Sequence, residues 1–310
     1  MTRGADVRQL IGRLLSLVDG ESAIAELVAC GLRAVPELRE FLLSGRIASV
    51  PQPRIWAVEA LAWLGAHDVL VEYVASPPRT NDPQLLLSED AVKNTAARHI
   101  GKSRDPQIFE ILLDLSRNRN LPGLIESLAE FERPEAIPRL DRALEDDFCR
   151  AAAEAGLRKL GLRARGALLF SAITPMPNAG EETPASLCRR RSVLMLLAEM
   201  GVEPRHWAEL RAILRDEDPE IVARIAQIAA AVADSADRRA AAGKLIAILG
   251  RVPWHLAKEA ETALVTLAPE SWPAIEAELN RRSANPRRAG DEVLRLLLRV
   301  EATLQPIPRT

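Results

Sequence analysis

Between Phe131 and Gly161 the chain reads FERPEAIPRLDRALEDDFCRAAAEAGLRKLG. Apolar residues at positions 136, 137, 140 and 144 have the spacing that places them on one face of a helix. Asp146 and Asp147 then form a turn and offer a cap for a second helix, whose apolar face continues at positions 153, 157 and 160. Gly161 permits the left-handed backbone that ends many helices. The segment therefore predicts two antiparallel helices joined by an acidic turn.

The same arrangement recurs along the chain. One helix pair cannot bury its own apolar face, so repeated pairs are expected to stack and share a core. Pro is tolerated at the start of first helices, because the first-turn N–H groups have no intrahelical partner. Small residues, such as those at 151–153 and 229–231, let neighbouring helices approach closely. The related segments are ACGLRAVPEL at 29–38, RIWAVEALAWLG at 54–65, AARHIGKSRDP at 96–106, RRSVLMLLAEMG at 190–201 and DEDPEIVAR at 216–224.

These segments resemble HEAT-like repeats, particularly the short type of the PBS-lyase (phycobilin lyase) proteins. That type has an Ala-Val-Pro-x-Leu first helix, an Asp-rich turn, and an Arg-containing second helix ending in Leu-Gly. Residues 31–65 and 131–161 carry the resemblance, and residues 190–225 match in part. The resemblance implies an all-α fold: a right-handed α-solenoid of stacked antiparallel helix pairs, a HEAT-like or ARM-like superhelix.

The periodicity predicts helices throughout the chain and no sheet. A loop rich in Pro and Gly at 173–183 interrupts the pattern. Residues 1–304 then form either one solenoid with a long surface loop or two halves, 1–172 and 184–304, joined by this loop. Residues 305–310 are expected to form a flexible tail. The predicted helices are 5–18, 21–31, 33–44, 53–65, 67–75, 83–101, 105–117, 120–132, 134–145, 147–161, 163–172, 184–201, 204–215, 218–233, 236–250, 253–268, 270–282 and 286–303.

Composition, net charge and the lack of known motifs limit the classes of function that we expect for this chain. The 310 residues are 48% hydrophobic but only 4% aromatic, and their net charge of −2 provides no global field for nucleic acid or membranes. The four His and three Cys are isolated, so no metal site is predicted. No phosphate-binding loop or nucleophile motif is present, so no catalytic residue or cofactor is predicted. Without a signal peptide or a membrane-length apolar run, we expect a cytoplasmic protein.

Two groups of residues are candidates for partner binding. Polar residues on second helices, which line the concave face of such solenoids, form the first group: Glu59, Lys93, Asn94, Arg98 and Arg150. Arginines on both sides of the loop form the second group, which would be a cationic patch for a phosphate backbone or an acidic protein tail if the flanking helices are neighbours. Alternatively, they point in different directions and pair with nearby Glu. These residues are Arg158, Arg163, Arg165, Arg189, Arg190 and Arg191.

Three further groups of residues stand out in the sequence. Trp56 and Trp63 lie seven residues apart on one helix face, either as packing residues or as binding anchors. His99 lies near a helix C-terminus, where the helix dipole favours its charge, and His67 and His206 begin helices. A second arginine cluster, expected to be solvated, comprises residues 281, 282, 287 and 288.

The sequence thus predicts a non-catalytic scaffold or adaptor that binds a protein segment or helix on its concave face. The resemblance leaves two enzymatic alternatives. One is a phycobilin-lyase-like enzyme, and the other is a DNA glycosylase of the HEAT-like type. Nucleic-acid binding without catalysis, through the arginine-rich region, is a further alternative.

Overall fold

A computed structural model describes residues 6–103, 105–178, 180–284 and 291–304 of this chain. Their regular secondary structure is almost entirely helical, which confirms the all-α prediction. Their α-helices are α1 Val7–Leu14, α2 Gly20–Ala29, α3 Val35–Leu43, α4 Gln52–Trp63, α5 His67–Ala75, α6 Pro83–Gly101, α7 Pro106–Asn118, α8 Pro122–Glu130, α9 Ile137–Ala143, α10 Arg150–Leu160, α11 Arg165–Ile173, α12 Pro184–Met200, α13 Trp207–Leu210, α14 Pro219–Val232, α15 Ser235–Ile248, α16 Ala257–Thr266, α17 Trp272–Ser283 and α18 Glu292–Leu304.

Short sequence signals set many helix ends. The side chains of Asp82, Asp105 and Asp218 each accept a hydrogen bond from the backbone N–H two residues later, at 2.9, 2.8 and 3.1 Å. A proline follows each of these aspartates, because the first helical position needs no N–H donor. Positive φ angles of 57–76° then allow the chain to leave a helix at Gly31, Gly65, Gly161 and Gly201.

The chain divides into two compact units, Met1–Leu160 and Gly161–Thr310. In the first unit the even-numbered helices α2, α4, α6, α8 and α10 are successive neighbours in one layer. The odd-numbered helices α1, α3, α5, α7 and α9 form a second layer, and each packs against the even-numbered helix that follows it. The core between the layers consists mainly of Leu, Ala, Ile and Val.

Glycines bring α6 and α8 unusually close together. A Cβ atom built on Gly123 would lie 2.3 Å from the backbone oxygen of Asn94. One built on Gly101 would lie 2.6 Å from the Cβ atom of Ser127. Because real Cβ atoms do not approach other atoms so closely, only glycine fits either position without a shift of the helices.

The second unit has the same alternation. Helices α12, α14, α16 and α18 are successive neighbours, and α11, α13, α15 and α17 pack against them. The Pro- and Gly-rich loop lies within this unit. It contains a short antiparallel hairpin whose two strands have two residues each: β1 (Pro177–Asn178) pairs with β2 (Glu181–Glu182). The expectation of no sheet was therefore wrong at this point, because strands of two residues are too short to show an alternating pattern.

The loop is fastened to α12. The N–H of Met176 donates to Ser186 Oγ at 2.9 Å, and Arg189 donates to the carbonyl oxygen of Thr174 at 2.9 Å. The N–H of Thr183 donates to the carbonyl oxygen of Met176 at 3.1 Å. These bonds join both ends of the loop to the first turns of α12.

The observed helices depart from the predicted ones near the C-terminus. The predicted helix 204–215 is a short α-helix, α13, between 3₁₀ turns at Pro204–His206 and Arg211–Arg215. Such tighter turns are frequent where short helices begin and end. The start of the predicted helix 286–303, arginines 287 and 288, and the tail 305–310 lie outside the described residues. Within the described ranges, every helix is too short or too polar to cross a membrane.

Candidate functional site

The layer formed by α4, α6 and α8 carries polar side chains at its exposed surface. Arg98 on α6 donates to both carboxylate oxygens of Glu126 on α8, and the Nη2–Oε1 distance is 3.0 Å. The two side chains remain 46% and 39% exposed. Asn94 Oδ1 accepts a hydrogen bond of 2.8 Å from the N–H of Gly123. Arg98 and Asn94, both sequence candidates, therefore bridge neighbouring helices while remaining at least partly exposed. We call the surface defined by Glu59, Asn94, Arg98 and Glu126 the α4–α8 face.

Glu59 is the α4 member of this face. Burial raises the pKa of its carboxyl group, and repulsion from Glu21 raises it further. Lys102, at the end of α6, opposes this shift by favouring the charged form. The carboxyl group therefore lies between an acidic residue of α2 and a basic residue of α6.

Lys93 lies inside the unit and not on the α4–α8 face. Its side chain is buried, with 1% of the residue exposed, and Nζ donates to the carbonyl oxygen of Ser76 at 2.5 Å. Burial, with repulsion from Arg119, lowers the pKa of Lys93 to about 8. The ammonium group also lies over the ring of Tyr73, 5.6 Å from its centroid.

A buried polar network surrounds this lysine. Tyr73 donates its hydroxyl to Glu89 at 2.8 Å. Arg54 donates to the other carboxylate oxygen of Glu89 and to the carbonyl oxygen of Leu42. Burial is the main cause that raises the pKa of Tyr73. The network joins α3, α4, α5 and α6 in the interior of the first unit.

Arg150 stabilises the acidic turn that the sequence predicted. It donates to the carbonyl oxygen of Leu144 at 3.0 Å and to Asp147 at 2.6 Å. Asp146 accepts bonds of 3.0 Å from the N–H groups of Phe148 and Cys149. Arg158 lies on the exposed side of the same helix, α10. A partner-binding role for Arg150 or Arg158 stays a prediction.

The loop-flanking arginines of the second unit differ in exposure. Arg163 is exposed, whereas Arg165 is half-buried and contacts Glu203 at 2.5 Å. Arg189 and Arg190 are buried, and Arg190 contacts Glu182 at 2.6 Å and Asp216 at 2.7 Å. Arg191 contacts Asp218 at 2.5 Å and Glu220 at 3.1 Å. Arg165, Arg190 and Arg191 thus pair with carboxylates, which agrees with the second of the two interpretations that the sequence left open.

Several arginines share a structural role that the sequence analysis missed. Each donates to a carbonyl oxygen at the C-terminal end of a helix, where the last carbonyls have no intrahelical partner. The planar guanidinium offers several donors at once, which the lysine ammonium cannot arrange in a fixed fork. The chain has 36 arginines and only five lysines, and this role gives one physical reason for that excess. The pairs are Arg54 with Leu42, Arg119 with Ser76, Arg139 with Ser116, Arg190 with Ala172, and Arg238 with Ala230.

A small cavity lies beside the α4–α8 face, where α4 ends, α5 begins and α6 ends. Its volume is about 270 Å³, and its lining includes Trp63, His67, His99 and Lys102. Trp63 is 75% exposed, whereas Trp56, two turns earlier, is 7% exposed and packs against Gly20. Although the spacing predicted that Trp56 and Trp63 share one face of the helix, Trp56 is buried and Trp63 is exposed.

The two histidines of the cavity differ from ordinary surface histidines. Burial lowers the pKa of His99, and the nearby Lys102 and His67 lower it further. The favourable effect of the helix C-terminus, which the sequence suggested, is thus outweighed. His67 Nδ1 is buried and has no hydrogen-bond partner among the described residues.

No protein-family model matches this chain, and no curated protein matches it in sequence. The resemblance to HEAT-like repeats therefore depends on the sequence segments quoted above. The described residues also contain no group of three or more His, Cys, Asp or Glu that could hold a metal ion. The chemistry that the site offers consists of hydrogen bonding, charge pairing and packing on an exposed indole.

Proposed function

We propose that this chain is a non-catalytic, HEAT-like scaffold or adaptor that binds a segment or helix of a partner protein. In this proposal the stacked helix pairs form a right-handed α-solenoid, and the α4–α8 face lies on its concave side. In the same proposal the protein acts in the cytoplasm. One observation carries the proposal: the even-numbered helices of the first unit are successive neighbours, so their exposed residues lie side by side along one layer.

The polar groups of the face suit recognition of a segment. Glu59 provides a carboxyl group, and the half-exposed Arg98–Glu126 pair provides both a cation and an anion. Complementary charges of this kind fix the register and orientation of a bound segment more than they add affinity. Arg165, Arg190 and Arg191 contact carboxylates within their own unit. Arginines that already pair with carboxylates are less available to bind the phosphates of a nucleic acid, so this pairing weakens the support for the nucleic-acid alternative.

Site-specific photo-crosslinking tests the proposal. A photoreactive amino acid is placed at position 59, 94 or 98 of the α4–α8 face. Control positions are 40 on α3 and 107 on α7, which are exposed in the odd-numbered layer. We expect the same protein to be crosslinked in cells from all three face positions and from neither control. Equal crosslinking from face and control positions would contradict the proposal.

A further inference from the structure

The cavity at the ends of α4 and α6 combines an apolar plane with basic groups. Trp63 supplies an indole that is largely exposed, although an aromatic ring of this size is normally covered by other residues. His67, His99 and Lys102 line the same cavity, and the lining residues come from two separate parts of the chain, 62–67 and 99–103. The fold, and not one local motif, therefore brings these groups together.

The volume of the cavity limits what can occupy it. At about 270 Å³ it is slightly smaller than the roughly 300–1,000 Å³ that small-molecule and cofactor pockets usually have. One side chain with its polar end group fits this space. An exposed tryptophan next to such a space is a common anchor in protein interfaces.

The charges of the lining favour an anion. Burial, and then repulsion from Lys102, lower the pKa of His99, because the ammonium and imidazolium groups repel each other when both are charged. An anion placed between them would relieve this repulsion. A charged Glu59 would oppose the binding of an anion, because its carboxylate already interacts with Lys102. Burial raises the pKa of Glu59, however, and so disfavours its charged form.

We infer that the cavity lined by Trp63, His67, His99 and Lys102 binds an anionic side chain of the partner segment, either a carboxylate or a phosphoryl group. The apolar part of that side chain, or of its neighbour, packs on the Trp63 indole. This inference depends on the proposed scaffold function and specifies the chemistry of the partner.

Anion binding should be coupled to protonation. His99 is held towards its neutral form by burial, by Lys102 and by His67. A bound anion favours the imidazolium ion, so the complex takes up a proton and its affinity rises as the pH falls towards 6. Among the residues that the structure describes, Lys102 also lines the cavity, and Glu59 interacts with Lys102. Burial raises the pKa of Glu59, so its opposition to a bound anion weakens as the pH falls.

NMR titration with small probes tests the inference without knowledge of the partner. The protein is labelled at its histidine rings and tryptophan indoles, and is titrated with phenyl phosphate, phenylacetate or the neutral 2-phenylethanol. We expect one or both anions to shift the signals of His67, His99 and Trp63, with weaker effects from the neutral probe. The two anions distinguish a phosphorylated partner from one with an acidic side chain.

Matched variants locate the binding. Trp63→Ala and Lys102→Gln should each weaken binding of the anionic probe about tenfold, since each loses a packing surface or a charge-assisted hydrogen bond. The controls are Trp254→Ala and Lys258→Gln, which alter an exposed tryptophan and an exposed lysine of the second unit. Histidine ring signals report directly on the protonation step, so a structural role alone would not reproduce the expected pH dependence.

Four results would overturn the inference. The neutral probe could bind as tightly as the anions, the cavity variants could bind like wild type, or the affinity for phenylacetate, which stays charged throughout, could be unchanged between pH 8 and 6. Tighter binding of a single-stranded DNA oligonucleotide than of an acidic peptide at these residues would also overturn it, in favour of nucleic acid. If the probes fail but crosslinking identifies a partner on the α4–α8 face, the scaffold proposal stands without this cavity. If the probes bind but no partner is crosslinked there, the scaffold proposal fails instead.

Discussion

Arg54 and Glu89 form an ion pair between α4 and α6 in which each side chain is only 4% exposed. The carboxylate of Glu89 also accepts the hydroxyl of Tyr73, and Arg54 also donates to the carbonyl oxygen of Leu42. Because both charges are removed from water, each depends on the other for compensation. Through Tyr73 on α5 and Leu42 on α3, the pair therefore connects helices of both layers in the interior of the first unit.

Replacement of one partner of this pair should destabilise the protein strongly. In Glu89→Gln the side chain keeps its shape, but Arg54 becomes a buried charge without an anion. We expect the free energy of unfolding to fall by about 3–5 kcal/mol, measured by urea denaturation. Glu37→Gln is the control, because it breaks the exposed pair with Arg8 and should cost about 0–1 kcal/mol. Equal effects of the two variants would contradict the structural role of Arg54 and Glu89.

Lys93 should make stability depend on pH in the alkaline range. Its pKa is about 8 in the folded protein, whereas the ordinary pKa of a lysine side chain is 10.5. Between these values the unfolded chain binds a proton that the folded protein does not, so stability rises with pH across this window. The gain is on the order of 3 kcal/mol for such a difference in pKa.

Comparison with Lys93→Met isolates this contribution from other titrating groups. The variant removes the ammonium group, while Arg119 still donates to the carbonyl oxygen of Ser76. Urea unfolding at intervals from pH 7.5 to 10.5 gives the difference in stability between wild type and variant. We expect the wild type to gain stability relative to the variant as the pH rises. A constant difference would show that the pKa of Lys93 is not lowered.

Because α6 and α8 approach each other closely, the addition of one methyl group at Gly123 should destabilise the protein. In Gly123→Ala the new Cβ atom meets the backbone of Asn94, which cannot turn away as a side chain could. We expect a loss of about 1–3 kcal/mol, the usual range for overpacking. Gly12→Ala in α1 meets no atom within 4 Å and should instead stabilise the protein by about 0.5–1 kcal/mol. Thermal unfolding of both variants measures this contrast.

Arg190 should hold the loop that precedes α12. It donates to the carbonyl oxygen of Ala172 and contacts Glu182 and Asp216. In Arg190→Lys a single ammonium group cannot satisfy all three acceptors. We expect at least tenfold faster amide hydrogen exchange at about residues 174–183, as mass spectrometry would detect, because local opening becomes easier.

The control for this prediction is Arg205→Lys, which alters an exposed arginine of the same unit. Its loop amides should exchange at the wild-type rate. Unchanged exchange in Arg190→Lys would mean that the remaining bonds from Met176 and Arg189 are sufficient to hold the loop.

Much of the helical pattern could be predicted because its signals are local. Apolar spacing, Asp-Pro starts and glycine ends depend on residues within one or two turns, and the predicted helices 67–75 and 83–101 match α5 and α6. The two-residue strands at 177–178 and 181–182 gave no such signal, because they contain too few residues for a period.

The candidate site could be predicted only in part, because its geometry depends on distant contacts. Arg98 and Asn94 were placed on the correct helix, but Lys93 adjoins Asn94 in sequence and points into the interior. The cavity at His67 and His99 joins residues 32 positions apart, and no local spacing indicates such a pair. The hydrogen bonds of Arg54 and Arg119 could not be predicted from the sequence either, because the carbonyl groups that they contact belong to other helices.

A charge swap on the α4–α8 face tests the central claim most directly. The double variant Arg98→Glu/Glu126→Arg keeps an ion pair between α6 and α8 but reverses the charges presented to a partner. The matched control is Arg39→Glu/Glu72→Arg on α3 and α5, whose side chains are 49% and 45% exposed in the odd-numbered layer.

The affinity of both double variants for the crosslinked partner is measured by isothermal titration calorimetry, after unfolding experiments show that both fold. We expect the face variant to bind at least about tenfold more weakly than wild type, since juxtaposed like charges suppress association. The control should bind like wild type. Wild-type affinity in the face variant, or an equal loss in both variants, would contradict the proposal that the α4–α8 face holds the partner.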